Sequence, residues 1–179
     1  MRKEVLYIFF CFLVTVQAAT AQIAVVKMVG KNTSNYSLGA GAFLKASYPV
    51  SDGDDATIEL GFFAFPLNDG GNGDGTAVIP IKMGYRYTFN REGDGFYIEP
   101  QAGYNLYGVT SLDVNGYTKN LKFNGVILAA STGYIFHIKS FPLDLNLHYE
   151  TVIDKGGSDN YLRLGLLASI SFKRRQTEY

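Results

Sequence analysis

The sequence predicts an all-β fold: eight antiparallel strands closed into an up-and-down transmembrane barrel. Three observations carry that prediction. Clusters of turn residues cut the chain into eight strand-like runs, most of these runs alternate between an apolar and a polar face, and the polar face is poor in charge while the apolar face is continuous and large. A soluble barrel would need the reverse, a charged outer face around an apolar interior; lipid outside and polar groups inside fits this pattern.

Composition agrees. Tyr and Phe number 13 each, Gly 20, and Trp is absent, a mix that favours strands over helices. The 179 residues suit one domain. The 16 basic residues balance the 16 acidic ones, and no basic cluster is long enough for a nucleic-acid footprint. The nearest, Lys173, Arg174 and Arg175, reads as a solvated tail.

The N-terminus reads as a secretory signal. Met1, Arg2 and Lys3 are followed by an apolar run over 5–16, and Ala19, Thr20 and Ala21 form a small-x-small site. Cleavage is expected between Ala21 and Gln22, giving a signal peptide at 1–21 and an outer-membrane β-barrel domain at 22–179. Cys11, the single cysteine, lies inside the apolar run, too early for lipoprotein processing. The mature chain is therefore expected to have no thiol, disulfide or Cys-based metal site.

Seven breaks rich in Gly, Asp, Asn and Ser fall at 31–35, 51–54, 68–75, 90–95, 110–120, 139–142 and 154–160. These residue types supply positive φ or side-chain turn bonds. The runs between them are mostly about 10 to 15 residues, against ~5–6 for a soluble strand and ~9–11 for a tilted membrane-spanning one. Eight is even and the smallest common size of such barrels. The first run, 23–30, is the shortest.

Alternation is clearest in four runs. Ile79, Ile81, Met83, Tyr85, Tyr87 and Phe89 oppose Pro80, Lys82, Gly84, Arg86 and Thr88. Phe96, Ile98, Pro100, Ala102, Tyr104 and Leu106 oppose Tyr97, Glu99, Gln101, Gly103 and Asn105. Leu143, Leu145, Leu147 and Tyr149 oppose Asp144, Asn146, His148 and Glu150. Leu162, Leu164, Leu166, Ala168, Ile170 and Phe172 oppose Arg163, Gly165, Ser169 and Ser171. A period of two over whole runs gives one apolar and one polar face. A one-residue slip would aim Lys82 or Arg86 at lipid, at about 2–4 kcal/mol each near the midplane. Two places are irregular: Phe62 with Phe63, and 126–130, which is apolar on both faces. A bulge or an interior apolar patch accounts for either.

Tyr36 and Tyr48 share an outward parity and stand twelve residues apart. At ~3.3 Å per residue and ~40° tilt that spans roughly 30 Å, the height of an apolar band with its aromatic girdles. With both termini periplasmic, the lower girdle contains Tyr48, Tyr87, Phe89, Phe96 and Phe172.

The inward charges form pairs. Lys45 and Glu59 are symmetric about the turn at Asp52, Arg86 and Glu99 about Glu92 and Gly93, Glu150 and Arg163 about Gly156 and Gly157. Facing interior side chains come within ~5 Å. Lys82 falls near the register of Glu59, and Asp144 and His148 share the inward face with Glu150. An eight-stranded lumen is wide enough only for side chains, so these nine residues predict a plugged barrel with an internal ion-pair network. A gated ion path is the alternative, because ionisable groups inside membranes often mark one.

The chain resembles the outer-membrane β-barrel family of the OmpA/OmpX-like eight-stranded type. The signal, the run IPIKMGYRYTF at 79–89 leading to FYIEPQAGY at 96–104, and the last strand 162–172 carry the likeness. The final run, ending on aromatic Phe172, looks like the terminal strand read by barrel-assembly machinery. The tail 173–179 departs from relatives that stop at the aromatic, leaving Phe172 or Tyr179 as the residue read. The resemblance implies a place in the cell outer membrane of a Gram-negative bacterium, contact with its lipid and with the assembly machinery during insertion, and a monomer. It is weak for activity, since members include adhesins, anchors, small-solute channels and some lipid-modifying enzymes.

No catalytic, cofactor or metal signature stands out. The resemblance brings lipid A deacylases to mind, which use an exposed His, Ser and Glu. Here His148 shares its inward face with Glu150, no Ser is tied to it by sequence, and His137 has no evident partner. The loop 68–75 carries several oxygen ligands but lacks the spacing and closing Glu of an EF-hand, and reads as a surface loop. Expected outside loops are 31–35, 68–75, 110–120 and 154–160. The expected function is that of a non-enzymatic barrel with a structural or surface-loop role and no cofactor. A porin-like channel is the alternative, then a lipid-modifying enzyme, then a soluble barrel with an apolar ligand cavity. An unheated sample of the detergent-extracted outer-membrane fraction should run at a different gel mobility from a boiled one. A protein in the soluble periplasm that shows no such shift would rule out the inverted barrel.

Overall fold

The computed structural model describes residues 18–30, 35–68, 74–90, 94–114, 117–138, 141–155 and 157–171. Eight strands form one closed antiparallel ring in chain order: β1 (Ala18–Val29), β2 (Gly39–Ser51), β3 (Asp54–Pro66), β4 (Gly75–Thr88), β5 (Gly95–Val114), β6 (Tyr117–Ile138), β7 (Phe141–Asp154) and β8 (Gly157–Ser171). β1 closes the ring on β8, from Ala18 opposite Ser171 to Val29 opposite Asn160. Every strand thus has two neighbours, and no sheet edge is left along the wall, as a hydrocarbon environment requires. The expected cleavage point lies inside β1, and residues 1–17 lie outside the described ones.

The turn residues determine where the strands stop. Gly53, with φ 80°, makes the tight β2–β3 connection that brings Ser51 opposite Asp54. With the β4–β5 and β6–β7 connections it defines the lower end of the barrel. The other four connections form the upper end. There the segment before β2 folds onto the end of β3: Ser37 N donates to the Pro66 carbonyl (3.0 Å), Asn68 N to that of Asn35 (3.0 Å), and Tyr36 bridges Leu67.

Two expectations change at this end. The break at 110–120 is mostly strand: β5 and β6 stay paired up to Val114 opposite Tyr117, beyond Ser111, the last β5 residue with a β4 partner, and Val126, the last β6 residue with a β7 partner. Pairing between two long β-formers outweighs the turn propensity of scattered Thr, Ser and Asn, so the hairpin projects above the wall. Tyr36 is also not on the outer face. It precedes β2, so the strand's alternation does not govern it, and its ring meets Phe65 edge-on at 6.2 Å among interior side chains.

Elsewhere the alternation holds. Leu44, Leu60, Met83, Ile98, Leu128, Leu145, Leu147, Leu164 and Leu166 are exposed on the outer wall, while their strand neighbours Lys45, Glu59, Lys82, Glu99, His148 and Arg163 are buried. At the lower rim Tyr48, Phe89 and Phe96 are exposed, Tyr87 and Phe89 meet at 5.2 Å, and Phe89 and Phe96 at 5.5 Å. Phe172 lies outside the described residues. Phe62 points out and Phe63 in, so β3 carries no bulge there. Ile127 likewise joins an interior apolar patch.

A register shift falls instead at Pro80, where the lack of an N–H interrupts the ladder. Ile79 faces Tyr107 but Pro80 faces Asn105, leaving Leu106 unpaired and both Leu106 and Tyr107 on the outer wall. The fully buried Asn105 lies at the gap, and with its amide turned so that the nitrogen faces the two backbone carbonyls there it donates to those of Ile79 (3.2 Å) and Tyr107 (3.0 Å). Asn105→Leu would strand those carbonyls, and an unsatisfied buried group costs about 1–3 kcal/mol. The variant should unfold at lower urea, read as loss of the fast-migrating unheated band.

Candidate functional site

Among the described residues the fold gathers its chemically active side chains in the lumen, which is built in two layers. On β1, β2, β3, β7 and β8 the inward polar residues lie on the lower side and the apolar or aromatic ones above them, whereas on β5 Tyr97 lies below Glu99 and on β4 Thr76 lies above Val78. Gln22 lies below Val26 and Met28, Lys45 below Phe43, Glu59 below Phe63 and Phe65, Lys82 below Val78, Glu150 below Val152, and Arg163 below Tyr161.

The lower layer is a charge network of four cations, Lys45, Lys82, Arg86 and Arg163, and four carboxylates, Glu59, Glu99, Asp144 and Glu150. Each is at most 8% exposed. Glu59 is one hub. The Arg163 guanidinium grips both its oxygens (2.9 and 3.1 Å) from across the barrel, Lys82 stands at 2.9 Å and Lys45 at 3.6 Å. Glu99 is the other. It accepts from Arg86 Nε (3.0 Å), Lys45 Nζ (3.0 Å), Thr57 (2.7 Å) and Gln101 (2.6 Å). Asp144 takes Arg86 (3.2 Å) and the Tyr97 hydroxyl (2.8 Å). Lys82 bridges Glu59 to Glu150 (2.6 Å), beside His148.

Register explains these choices. Glu59 is the cross-strand partner of both Lys45 on β2 and Lys82 on β4. The expected pairing of Glu150 with Arg163 is not made. β7 and β8 meet with His148 opposite Arg163 and Glu150 opposite Tyr161, because the tight connection between Asp154 and Gly157 shifts the symmetry point by one residue. Arg163 therefore crosses the lumen to Glu59, and Glu150 takes Lys82 instead. Arg86 and Glu99 do pair, and Arg86 also stacks on Tyr97, 4.1 Å from the ring centre.

The upper layer is aromatic, and the sequence reading missed it. Phe43, Phe63, Phe65 and Tyr161 pack at centroid distances of 5.4 to 6.0 Å, with Val26, Met28, Val78, Ile127 and Val152 around them. The signal was available, since Phe43 shares parity with Lys45 and Val78 with Lys82. Phe43 joins the layers: the Arg163 guanidinium lies 3.8 Å from its ring centre and Lys82 Nζ 5.8 Å. Its ring also covers Gly61, where a Cβ would lie 2.3 Å from Phe43 Cδ1.

Among candidate catalytic groups, His148 is fully buried, with Nε2 at 3.0 Å from Glu150 and 3.1 Å from Lys82 Nζ. Register supplies the serine that sequence did not, because Ser131 on β6 is its cross-strand partner. Yet Ser131 Oγ and His148 Nδ1 each lack a hydrogen-bond partner, and both face a packed lumen, away from lipid. His137 stands 3.7 Å from Asp94 at the lower rim. Among the described residues no group of His, Cys, Asp and Glu could hold a metal ion. The centre of the loop at 68–75 lies outside them. Glu59→Gln would leave Lys82 and Arg163 short of a counter-charge, and breaking a buried pair from one side costs about 3–5 kcal/mol. A larger fall in urea midpoint than for the outward Leu60→Ala would check this.

No family model and no curated protein matches the chain. Solved structures do. The chain is similar to Neisserial surface protein A (NspA), at TM-score 0.61 and 14% identity over 87% of this chain and 96% of that one. It is similar to Ail, the attachment invasion locus protein of Yersinia pestis, at TM-score 0.62 and 11% identity over 86% and 97%. It is also similar to the N-terminal β-barrel domain of Pseudomonas aeruginosa OprF, at TM-score 0.58 and 12% identity over 87% and 98%. At these identities the likeness is one of fold, and it agrees with the resemblance read from the sequence: the chain has the eight-stranded architecture of outer-membrane β-barrels.

Proposed function

We propose that this protein is a non-enzymatic β-barrel of the cell outer membrane, closed by its own side chains, with a structural role or a role in contacts made by its upper end. The belt of exposed Leu, Ile, Met and Tyr on the wall supports the membrane setting, since lipid is the solvent in which that face costs nothing. One observation carries the closed lumen: an aromatic layer packed over a charge network with four cations to four carboxylates. An ion path would need mobile charges in contact with water, whereas these are held within hydrogen-bond distance of one another beneath apolar rings.

The projecting β5–β6 hairpin supports a role at the upper end, outside the cell if the termini are periplasmic. It carries Tyr117, 80% exposed, beyond the reach of the neighbouring strands. Membrane lipid, the assembly machinery during insertion and a monomeric state complete the reading. Burial of His148 speaks against lipid modification, so lipid A mass spectra with the wild type and with His148→Ala should be the same.

The deciding experiment is single-channel recording of the refolded, heat-modifiable protein in planar bilayers. No conductance above background is expected. Discrete openings that Phe63→Ala enlarges would overturn the closed lumen in favour of a small-solute or ion channel.

A further inference from the structure

The first strand of the barrel is at odds with the leader site expected at Ala21. Cleavage between Ala21 and Gln22 would remove the first four residues of β1, and the ring uses all four. Ala18, Ala19, Thr20 and Ala21 pair with Ser47, Ala46, Lys45 and Leu44 on β2. On their other side they pair with Ser171, Ile170, Ser169 and Ala168 on β8. β1 alone lies between β8 and β2 in the ring, so these four residues are the wall at that level. The Thr20 hydroxyl also donates to the Lys45 carbonyl (3.3 Å).

A barrel beginning at Gln22 would be open between β2 and β8 over its lower part. The backbone N–H and C=O groups of 44–47 and 168–171 that point toward β1 would meet hydrocarbon without partners, which a membrane does not tolerate. The new α-ammonium would be as badly placed. Gln22 lies opposite Phe43, five residues along β2 from the girdle residue Tyr48. At ~3.3 Å per residue and ~40° tilt that is roughly 13 Å above the girdle. An apolar band is about 25 Å tall, so the charge would stand near its middle. The opening would also lie beside Lys45, a member of the charge network whose partner on β1 is Thr20.

The sequence holds a second site three residues upstream. A leader peptidase needs a small residue just before the cut and a small or short aliphatic one two positions earlier, which Ala18 and Val16 supply. The apolar stretch 5–14 before them falls within the about 7–15 residues of a leader core. We propose that the leader is removed at the Ala18–Ala19 bond. A leader peptidase hydrolyses that bond, water adding across it to leave the Ala18 carboxylate on the leader and the Ala19 amino group on the barrel. Ala19 faces Ala46, two residues from Tyr48, or roughly 5 Å on the same scale. The charged end then reaches the lower interface, and Ala19, Thr20 and Ala21 stay in the wall. The inference rests on the membrane reading proposed above. That reading fails if no outer-membrane band shifts on boiling; the inference fails if such a band carries a different first residue.

The test is intact-mass spectrometry and N-terminal sequencing of the heat-modifiable band, from the full chain expressed in a Gram-negative host. The expected chain begins at Ala19 and is heavier than one beginning at Gln22 by the residues Ala19, Thr20 and Ala21. Ala18→Leu, which spoils the proposed site, should abolish that product. Ala21→Leu, at an exposed position of β1, should be processed and folded like the wild type. A wild-type chain that begins at Gln22, with its amine free or cyclised, would overturn the inference. So would a chain that begins at any other residue or keeps its leader, or loss of processing in Ala21→Leu.

Discussion

Glu59 is the residue on which most of the interior depends. Its carboxylate holds two lysines from the strands on either side and an arginine from β8, so one group ties four strands of the ring together across the lumen. In a low-dielectric interior a charge is tolerated only if paired and hydrogen-bonded. Once Glu59 is in place, its partners have little freedom. Lys82 must turn toward β7, where Glu150 receives it, and Lys45 is left to share itself with Glu99, which brings in Arg86 and Asp144. The network is thus a chain of obligations starting from one register.

The aromatic layer serves the same constraint. Cations that have lost water gain from the faces of aromatic rings, and Phe43 lies against both Arg163 and Lys82. Above it, Phe63 and Phe65 fill the lumen with groups that need no hydrogen bonds, and the Tyr161 ring packs against both. The charges thereby occupy one half of the lumen and apolar rings the other, while the outer wall presents Leu, Ile and Tyr. At the upper end the projecting β5–β6 hairpin and the folded-over segment around Tyr36 stand clear of this packing.

The sequence by itself determined the ring and its polarity. Turn clusters, strand length and period-two alternation are local properties of the chain, and the fold followed them in β4, β5, β7 and β8 almost residue by residue. Parity also puts the nine ionisable residues of the expected network on the inward face, because it decides the face of a strand regardless of its neighbours. Where local signals compete, the reading gave way: turn-prone residues near 110–120 were drawn into the paired hairpin, and Tyr36, outside any strand, followed its packing rather than parity.

Only the tertiary structure decided which interior residues meet. Hairpin symmetry predicts partners on adjacent strands, and it failed for Glu150 and Arg163 by two residues of register, which leaves both facing inward. It was silent on contacts across the lumen, such as Arg163 with Glu59 or Gln22 with Asn146 (2.9 Å). Those depend on how the strands tilt and stagger when the ring closes, a global property carried by no one segment. The aromatic cap and the orphaned ring nitrogen of His148 belong to the same class: each residue's face was legible, but its company was fixed only by closure.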